Sequence, residues 1–398
     1  FGDMGLAAKS ITAYRHALSL ASGDLDRCPA LIGLAAGMRV TDEYDDALQA
    51  LDQSEAIAAG AGLTSELARI HHLRGNIYFP IGNIDGCLQE HEKALAFAQD
   101  AGSPEGEANA LSGLGDAYYL RGRMKTSLDH FQRCMDICRA NGLSRIEIGN
   151  SYMVAWTRLY QNQVSEALAE ALAAAEAAER VGYRRAENVA RLTAGRIYYE
   201  CGDLAASRSH LEKGLVLVEE MGANRFKAFH MIYLARILHA EDGTQTEARE
   251  MAGEALQISR DTGITFLGPW ALSTLALVSD DPGDRQSALD EGEAIINDGC
   301  VGHNYFAFYR DAVEAALAEG DWDAADAYVA SLERYNAPKP LPWCDFFMQR
   351  GAAQAAHGRG QRDTELRREL SRLRDAANQM GIMRSVPSLD AALAELTG

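Results

Sequence analysis

Residues 111–142 read LSGLGDAYYLRGRMKTSLDHFQRCMDICRANG, and most of the chain repeats the pattern of this stretch. Leu114 and Tyr118 recur at helical spacing, and Gly122 interrupts the pattern. Phe131 continues an apolar helical face beyond the break. The stretch therefore predicts two helices joined by a turn. A single helical hairpin buries only one side of itself, so neighbouring hairpins are needed to cover the rest.

The small residue at position 115 recurs along the chain at a nearly constant step. Its equivalents are Ala35, Gly75, Gly115, Ala155, Gly195, Ala235 and Ala276. Glycines that end the second helices keep the same step, at Gly62, Gly102, Gly142, Gly182, Gly222 and Gly263. Glycine adopts the left-handed conformation that ends a helix, and small residues let two helices approach closely. The sequence therefore predicts an array of hairpins with a period of about 40 residues.

The pattern divides the chain into three regions. Residues 1–20 match only the second helix of a hairpin, residues 21–300 form the regular array, and residues 301–398 form looser repeats and a capping helix. The segment APKPLPW, residues 337–343, is predicted to be an extended spacer because proline cannot continue a helix. Residues 282–284 are predicted to form an inner turn. The count is one partial and nine complete hairpins, about 20 helices, and the partial start suggests a piece of a longer protein.

The composition restricts the partners. The formal net charge is −19 and the sequence pI is about 5.0, so nucleic acid and anionic membrane surfaces are disfavoured and a neutral, mixed or basic polypeptide is favoured. No apolar run approaches the roughly 20 residues of a membrane-spanning helix, and no signal peptide is recognisable. We expect a cytoplasmic protein that binds neither nucleic acid nor membranes.

Sequence motifs for catalysis are absent. There is no GxxxxGK[ST] phosphate loop, HExxH pair or dinucleotide fingerprint. The seven cysteines have no regular spacing and predict no disulfide framework. The only close pair, Cys134 and Cys138, lacks a second pair to complete a metal site. We expect no catalytic residues, no cofactor and no metal in this chain.

The repeat resembles the tetratricopeptide repeat at Leu111, Leu114, Gly115, Tyr118, Ser127, Phe131 and Cys134. The resemblance implies an all-α, right-handed α-solenoid of antiparallel helical hairpins, whose first helices line a concave face. The usual unit of that family has about 34 residues, so the step found here is longer. HEAT-type repeats, which run to roughly 40 residues, are the structural alternative.

Residues 71–134 show a narrower resemblance, to the C-terminal repeats of bacterial multidomain regulators that carry an adenylate or guanylate cyclase domain and an ATPase domain of the signal-transducing type. This resemblance implies a non-catalytic regulatory tail whose catalytic domains lie N-terminal to Phe1. Long repeats of this kind also occur on transcription activators. A sensor domain of a transcriptional or signalling regulator is therefore an alternative.

Groove-facing positions in a tetratricopeptide superhelix are counted from the small residue of each first helix. The candidate binding residues are His72, Asn76, Phe79, Ser112, Asp116, Tyr119, Tyr152, Trp156, Arg196, Tyr199, Arg236, His239 and Trp270. Aromatic residues and arginine carry much of the binding energy in protein interfaces. On this placement Arg196→Ala is expected to leave folding almost unchanged. In the alternative interpretation, half of the aromatic residues pack against the next repeat.

The leading hypothesis is a regulatory interaction module that binds a protein or peptide segment, or the N-terminal domains of its parent chain. Two alternatives stay open. One is a sensor in which a small molecule stacks on aromatic side chains. The other is a structural scaffold that forms a homodimer through an end repeat, where a hairpin face would be left uncovered.

Overall fold

The computed structural model describes residues 7–221, 223–241 and 243–396. Within these ranges the chain forms 20 α-helices and one 3-10 helix, with no strand. The helices are α1 (Ala7–Leu20), α2 (Asp24–Val40), α3 (Tyr44–Ala61), α4 (Thr64–Tyr78), α5 (Ile84–Asp100), α6 (Pro104–Leu120), α7 (Met124–Asn141), α8 (Ser144–Leu159), α9 (Val164–Arg180), α10 (Arg184–Glu200), α11 (Leu204–Met221), α12 (Asn224–His239), α13 (Gln245–Thr262), α14 (Ile264–Val278), α15 (Pro282–Asp298), α16 (His303–Glu319), α17 (Trp322–Asn336), α18 (Pro342–Gly358), α19 (Thr364–Met380), the 3-10 helix (Met383–Ser385) and α20 (Val386–Glu395). The predicted all-α class and helix count are confirmed.

The helices follow one another as hairpins. Nine pairs, from α2–α3 to α18–α19, are each joined by two to five residues, while α1 precedes the first pair and α20 follows the last. Connections this short make the two helices of a pair antiparallel neighbours. The nine predicted complete hairpins are therefore present in the described part of the chain, and the assignment of α1 as the second helix of a partial hairpin stays a prediction.

Left-handed backbone conformations recur at a regular interval. Positive φ angles occur at Asp42, Gly62, Gly82, Gly102, Gly122, Gly142, Asn162, Gly182 and Gly202. Each of these residues follows a helix, where the backbone reverses so that the last carbonyl groups find donors. After Gly62, for example, the amide of Leu63 donates to the carbonyl oxygen of Ala58 at 2.9 Å. Gly222, the next predicted glycine, lies outside the described residues.

The recurring small residues at position 115 and its equivalents lie where the two helices of a hairpin pack closely. A Cβ atom on Gly115 would lie 2.7 Å from the ring of Phe131, and one on Gly195 would lie 2.7 Å from Leu211. The equivalent alanines are completely buried: Ala35, Ala155, Ala235 and Ala276. At these positions the second helix of a hairpin packs so tightly on the first that a larger side chain has no room.

The chain divides into two compact units. Unit 1 comprises residues 1–121 and 126–150, and unit 2 comprises residues 122–125 and 151–398. The described core of unit 1 includes one large apolar cluster, in which Ile32, Leu51 and Ile70 are almost completely buried. Unit 2 contains smaller clusters made mainly of alanine. The region boundaries predicted after residues 20 and 300 follow the repeat pattern rather than the packing, and they stay predictions.

The prediction of a turn at residues 282–284 is wrong, because Pro282 begins α15. Proline suits the first position of a helix, where its missing N–H would have no partner. Asp281 caps the helix, and its Oδ1 atom accepts a hydrogen bond from the amide of Asp284 at 2.9 Å. The proline-rich segment predicted at residues 337–343 is shorter than expected as a spacer, because α18 already begins at Pro342.

Candidate binding site

The predicted groove residues lie on the first helices of six successive hairpins, α4 to α14 in steps of two, with Phe79 directly after α4. Their exposure differs widely. His239 is exposed, whereas Trp156, Arg196, Arg236 and Trp270 are at most 3% exposed. Ser112, Tyr119 and Tyr199 are also buried, and the partly buried ones are His72, Asn76, Phe79, Asp116 and Tyr152.

In unit 1 three of the predicted polar residues contact neighbours within the fold. The Nε2 atom of His72 lies 2.9 Å from Nδ2 of Asn76, and Ser112 donates a hydrogen bond to Asn150 at 2.6 Å. Burial, followed by the positive charge of Arg39, lowers the pKa of His72 to about 4. This imidazole is therefore neutral near pH 7 and contributes no charge to a binding surface.

A buried ion network in unit 1 was not predicted. The Arg74 guanidinium lies between Glu90, 3.0 Å away, and Glu55, 2.6 Å away, and His71 binds the same Glu90 carboxylate at 2.7 Å. Burial alone would raise the pKa of Glu90, but hydrogen bonds from His71, Lys93 and Arg74 lower it to about 2. The network joins α3, α4 and α5, and Arg74 is not free to bind a ligand because it already has acidic partners.

In unit 2 an aromatic cage surrounds Arg196. Its guanidinium carbon lies 4.4 Å from the ring centre of Trp156, 4.8 Å from that of Tyr160 and 5.4 Å from that of Trp270. Cation–π attraction is strongest where water is excluded, as it is here. Arg196 is only 2% exposed, so it does not face a groove, and the expectation that Arg196→Ala would leave folding almost unchanged loses its basis.

Five buried atoms around this cage that can donate a hydrogen bond have no acceptor in the described part of the chain. They are Nε1 of Trp156, Nε1 of Trp270, Nε and Nη1 of Arg196 and the hydroxyl of Tyr233. Tryptophan and arginine nitrogens can only donate hydrogen bonds. The four tryptophan and arginine nitrogens are therefore unsatisfied donors, whereas the Tyr233 hydroxyl can donate or accept.

A cavity of about 290 Å³ lies in unit 2, mainly between the ends of first helices. Its lining residues are Tyr199 and Glu200 of α10, Arg236 and His239 of α12, Leu277 and Val278 of α14, Arg285 of α15, Arg310, Asp311, Glu314, Ala315 and Ala318 of α16, Phe347 and Arg350 of α18, and Arg384 and Ser385 of the 3-10 helix. We call it the arginine-lined cavity. Three predicted residues, Tyr199, Arg236 and His239, line it together.

A chain of charged groups forms one wall of this cavity. Asp311 pairs with Arg236 and lies 3.0 Å from Arg310, which in turn lies 2.7 Å from Glu200. Ser273 also donates a hydrogen bond to Asp311 at 2.8 Å. Burial by itself raises the pKa of Asp311, but the charges of the two arginines outweigh it and lower the pKa below its usual value. Ion pairs between oppositely charged side chains therefore fix the positions of the residues in this wall.

Two further lining arginines also have carboxylate partners. Arg350 pairs with Glu314 and donates a hydrogen bond to Ser388 at 2.8 Å, although its buried Nε atom has no acceptor. Arg285 pairs with Glu319. These two residues close the side of the cavity formed by α15, α16 and α18.

Arg384 differs from the other four lining arginines. It is exposed, and within residues 7–221, 223–241 and 243–396 it makes no ion pair. Its guanidinium carbon lies 4.8 Å from the ring centre of Tyr199, and Nη2 donates to the Tyr199 hydroxyl at 3.3 Å. Arg384 therefore carries a positive charge at the cavity that no carboxylate of the described chain neutralises.

Sequence reasoning missed Arg310, Asp311, Arg350 and Arg384, which all lie after residue 300, where the repeat spacing loosens. One signal was present. The adjacent charged residues Arg310 and Asp311 interrupt the otherwise largely apolar run NYFAFYRDAVEAALA, which forms the buried helix α16. A charged pair inside such a run indicates buried ionic partners, because an unpaired buried charge is costly.

Metal-binding clusters and membrane-spanning helices are not found in the described chain. Across the residues that the structure describes, no group of three or more His, Cys, Asp or Glu side chains is placed to hold a metal ion. None of the described helices combines the length and apolar character needed to cross a membrane.

The repeats and the fold have counterparts among known proteins. Residues 66–140 match the family model of the tetratricopeptide repeat. No curated protein sequence matches the chain. The fold is similar to that of the Rap protein complexed with competence and sporulation factor, with 14% identity, a TM-score of 0.64, and coverage of 84% of this chain and 94% of that chain. It is also similar to NprR in complex with its cognate peptide NprX, with 17% identity, a TM-score of 0.59, and coverage of 85% and 96%.

At these identities the two structures show likeness of fold alone. The all-helical hairpins and the match at residues 66–140 together confirm the predicted tetratricopeptide-like α-solenoid class, and residues 66–140 carry tetratricopeptide repeats.

Proposed function

We propose that this chain is a non-catalytic regulatory module that binds a peptide or protein segment, and that the arginine-lined cavity of unit 2 is the binding site. One observation carries the proposal. The cavity is lined by the first helices of five successive hairpins, and it brings together Tyr199, Arg236 and His239, which were predicted from repeat spacing as groove residues.

The chemistry of the cavity suits a peptide. Its volume of about 290 Å³ lies near the lower end of the usual range for ligand pockets, roughly 300–1,000 Å³, and is suited to an anchoring side chain or chain end. Arginine and tyrosine are among the residue types that dominate binding energy at interfaces. The two similar folds also support the proposal, since NprR was solved with its cognate peptide NprX and Rap with competence and sporulation factor.

Ligand binding would regulate other domains of the same protein. The resemblance of residues 71–134 to the repeats of cyclase- and ATPase-linked bacterial regulators supports this finer proposal. In such an arrangement the module is cytoplasmic, and the bound segment comes from a separate peptide or from the catalytic domains themselves. The coding sequence upstream of Phe1 tests the point directly, because a cyclase or ATPase domain is expected there.

Peptide binding is tested by affinity selection from a randomised hexapeptide pool followed by mass spectrometry. Ala318 lines the cavity and is exposed, so Ala318→Trp is expected to obstruct the cavity without disturbing the core and to abolish retention. Ala330 is exposed on α17, so Ala330→Trp is the matched control and is expected to retain peptides as the wild type does.

Equal peptide retention by the wild type, Ala318→Trp and Ala330→Trp would show that peptides do not bind in the cavity. No retention by the wild type would refute peptide binding.

A small-molecule sensor is the second candidate, favoured by the modest volume of the cavity. Thermal unfolding against a metabolite panel separates it from the first. A ligand at 100 times its dissociation constant adds about 2.7 kcal/mol of stability, and a shift that Ala318→Trp removes would support the sensor.

A further inference from the structure

We propose that the arginine-lined cavity binds a carboxylate group of its ligand and that Arg384 is the residue that receives it. This inference rests on the peptide-binding function proposed above and names the ligand chemistry at the same site. It assigns a specificity-determining role to a residue of the C-terminal 3-10 helix.

The lining of the cavity is rich in positive charge. Five arginines and three carboxylates line the cavity, whereas the whole chain has 57 acidic and 38 basic residues. The cavity is therefore a local exception to the acidic character of the protein. A local surplus of positive charge in a partly enclosed cleft attracts an anionic group of a ligand.

The lining arginines differ in how they are held. Arg236, Arg285, Arg310 and Arg350 each have a carboxylate partner that fixes the side chain. Among the described residues, Arg384 contacts the hydroxyl and the ring of Tyr199, at 3.3 Å and 4.8 Å, and has no carboxylate partner. It can therefore turn towards a ligand without breaking an ion pair, while the other arginines keep the wall in place.

Two buried groups at or beside the cavity can donate a hydrogen bond but have no partner among the described residues. Nε of Arg350 and the hydroxyl of Tyr233 are buried and have no acceptor. Arg350 lines the cavity, and the ring of Tyr233 lies 5.7 Å from that of the lining residue Tyr199. A carboxylate supplies acceptors only and matches the fork of a guanidinium with two parallel hydrogen bonds.

The net charge favours a single carboxylate over a multiply charged anion. At −19 the chain as a whole repels anions, and the repulsion grows with the charge of the ligand. A neutral or basic peptide with one carboxylate avoids most of this repulsion and still presents the group that the cavity lacks. The carboxylate can come from the C-terminus, from an Asp or Glu side chain, or from a free monocarboxylate.

The test compares three hexapeptide pools and two small anions on the full chain. The first pool has free C-termini and no Asp or Glu, the second has amidated C-termini and one Glu, and the third is amidated without Asp or Glu. Propionate, which has a single carboxylate, and inorganic phosphate are the free anions. The proteins are the wild type, Arg384→Gln, and Arg368→Gln, which removes the same charge from an exposed position of α19 outside the cavity.

We expect the wild type and Arg368→Gln to retain the first or the second pool but not the third. Arg384→Gln is expected to weaken that binding about tenfold or more, the usual loss for a hydrogen bond to a charged group. The pool that is retained identifies the source of the carboxylate. Unchanged melting temperatures of the variants show that folding is intact, since both arginines are exposed.

The remaining outcomes separate this inference from the proposed function. Equal retention of the third pool, or binding unaffected by Arg384→Gln, would overturn the carboxylate site and leave peptide binding standing. Binding of propionate alone, weakened by Arg384→Gln, would support the carboxylate site and refute peptide binding. Phosphate binding tighter than every carboxylate would overturn the inference, and no binding at all would refute both.

Discussion

The hydroxyl of Ser127 donates a hydrogen bond to the backbone carbonyl oxygen of Gly115 at 2.7 Å, and Ser207 makes the same bond to Gly195 at 2.7 Å. Each pair is separated by 12 residues. The second helix of a hairpin therefore begins against the same point of the first helix in both repeats. This contact is possible because residues 115 and 195 lack a side chain that would push the helices apart.

Gly115→Leu is expected to destabilise unit 1 by about 1–3 kcal/mol, the usual cost of overpacking. A Cβ atom at this position would lie 2.7 Å from the Phe131 ring, so either the ring or the helix must move. The free energy of unfolding in urea measures the effect. Gly60→Leu is the control, because Gly60 is exposed on α3 with no atom near its Cβ position. It is expected to be neutral or slightly stabilising, and equal stabilities of the two variants would contradict the close packing at Gly115.

The repeat could be predicted from the sequence because its causes are local. Gly122 and Gly142 have φ angles of 70° and 68°, a conformation that favours glycine, and each lies within a few residues of the helix that it ends. Such positions therefore recur as glycine at a fixed spacing and can be recognised in the sequence. The cavity cannot be recognised in this way, because its contacts join residues far apart in the chain: Arg310 and Glu200 are separated by 110 residues, and Arg384 and Tyr199 by 185.

The exposure of the candidate residues could not be predicted for a related reason. Counting from the small residue gives the direction of a side chain around its own helix, but not what the neighbouring hairpins place over it. Trp156 and Trp270 lie on α8 and α14, yet their rings are 6.4 Å apart. They bury each other with Phe229, so large aromatic residues at predicted groove positions became part of the core.

Arg196→Ala is expected to destabilise the protein by about 2–5 kcal/mol, the range for truncating a large buried side chain. The guanidinium stacks on Trp156 at 4.4 Å and is almost fully buried, so alanine would leave a cavity between aromatic rings. Arg180→Ala removes an arginine that is 68% exposed and pairs with Glu176 at 3.2 Å. This control is expected to change the free energy of unfolding by less than about 1 kcal/mol. If both variants changed the free energy of unfolding by a similarly small amount, Arg196 would not be a buried packing residue, and its predicted place in an exposed groove would stand.

Acidification is expected to destabilise unit 2 through His230. Burial lowers the pKa of His230 from 6.5 to about 3. The unfolded chain therefore takes up a proton near pH 6.5, whereas the folded chain does not until about pH 3. The contribution of the neutral imidazole is complete above pH 6.5 and is lost as the pH falls from there.

His230→Gln is expected to remove this dependence, because glutamine can keep a hydrogen bond to Asn188, whose Oδ1 atom lies 2.8 Å from Nε2, and does not titrate. Urea unfolding at several pH values between about 6 and 4 measures the effect, and the slope should fall by about 1.4 kcal/mol per pH unit relative to the wild type. His16→Gln changes an exposed histidine and serves as the control. Parallel curves for wild type and His230→Gln would rule out a buried neutral imidazole.

Asp311→Asn is expected to destabilise unit 2 by about 3–5 kcal/mol at pH 7, because it leaves buried positive charge without its partner. Asp311 is 1% exposed and pairs with both Arg236 and Arg310. The folded-state pKa of Asp311 is lowered, so the difference from wild type is complete above the ordinary aspartate pKa of about 3.9. It is lost as the pH falls through the lowered value.

Glu291→Gln is the control for Asp311→Asn, since Glu291 pairs with Arg260 at 2.8 Å while the two side chains are 43% and 46% exposed. Its expected cost is below about 1 kcal/mol, as for other surface ion pairs. Chemical unfolding at pH 7 and at pH 3 compares the two. If Asp311→Asn cost no more than Glu291→Gln, the wall of the cavity would not depend on the buried carboxylate. The other arginines of the wall would then not be held by ion pairs, and Arg384 would no longer be set apart as the arginine of the described lining without a carboxylate partner.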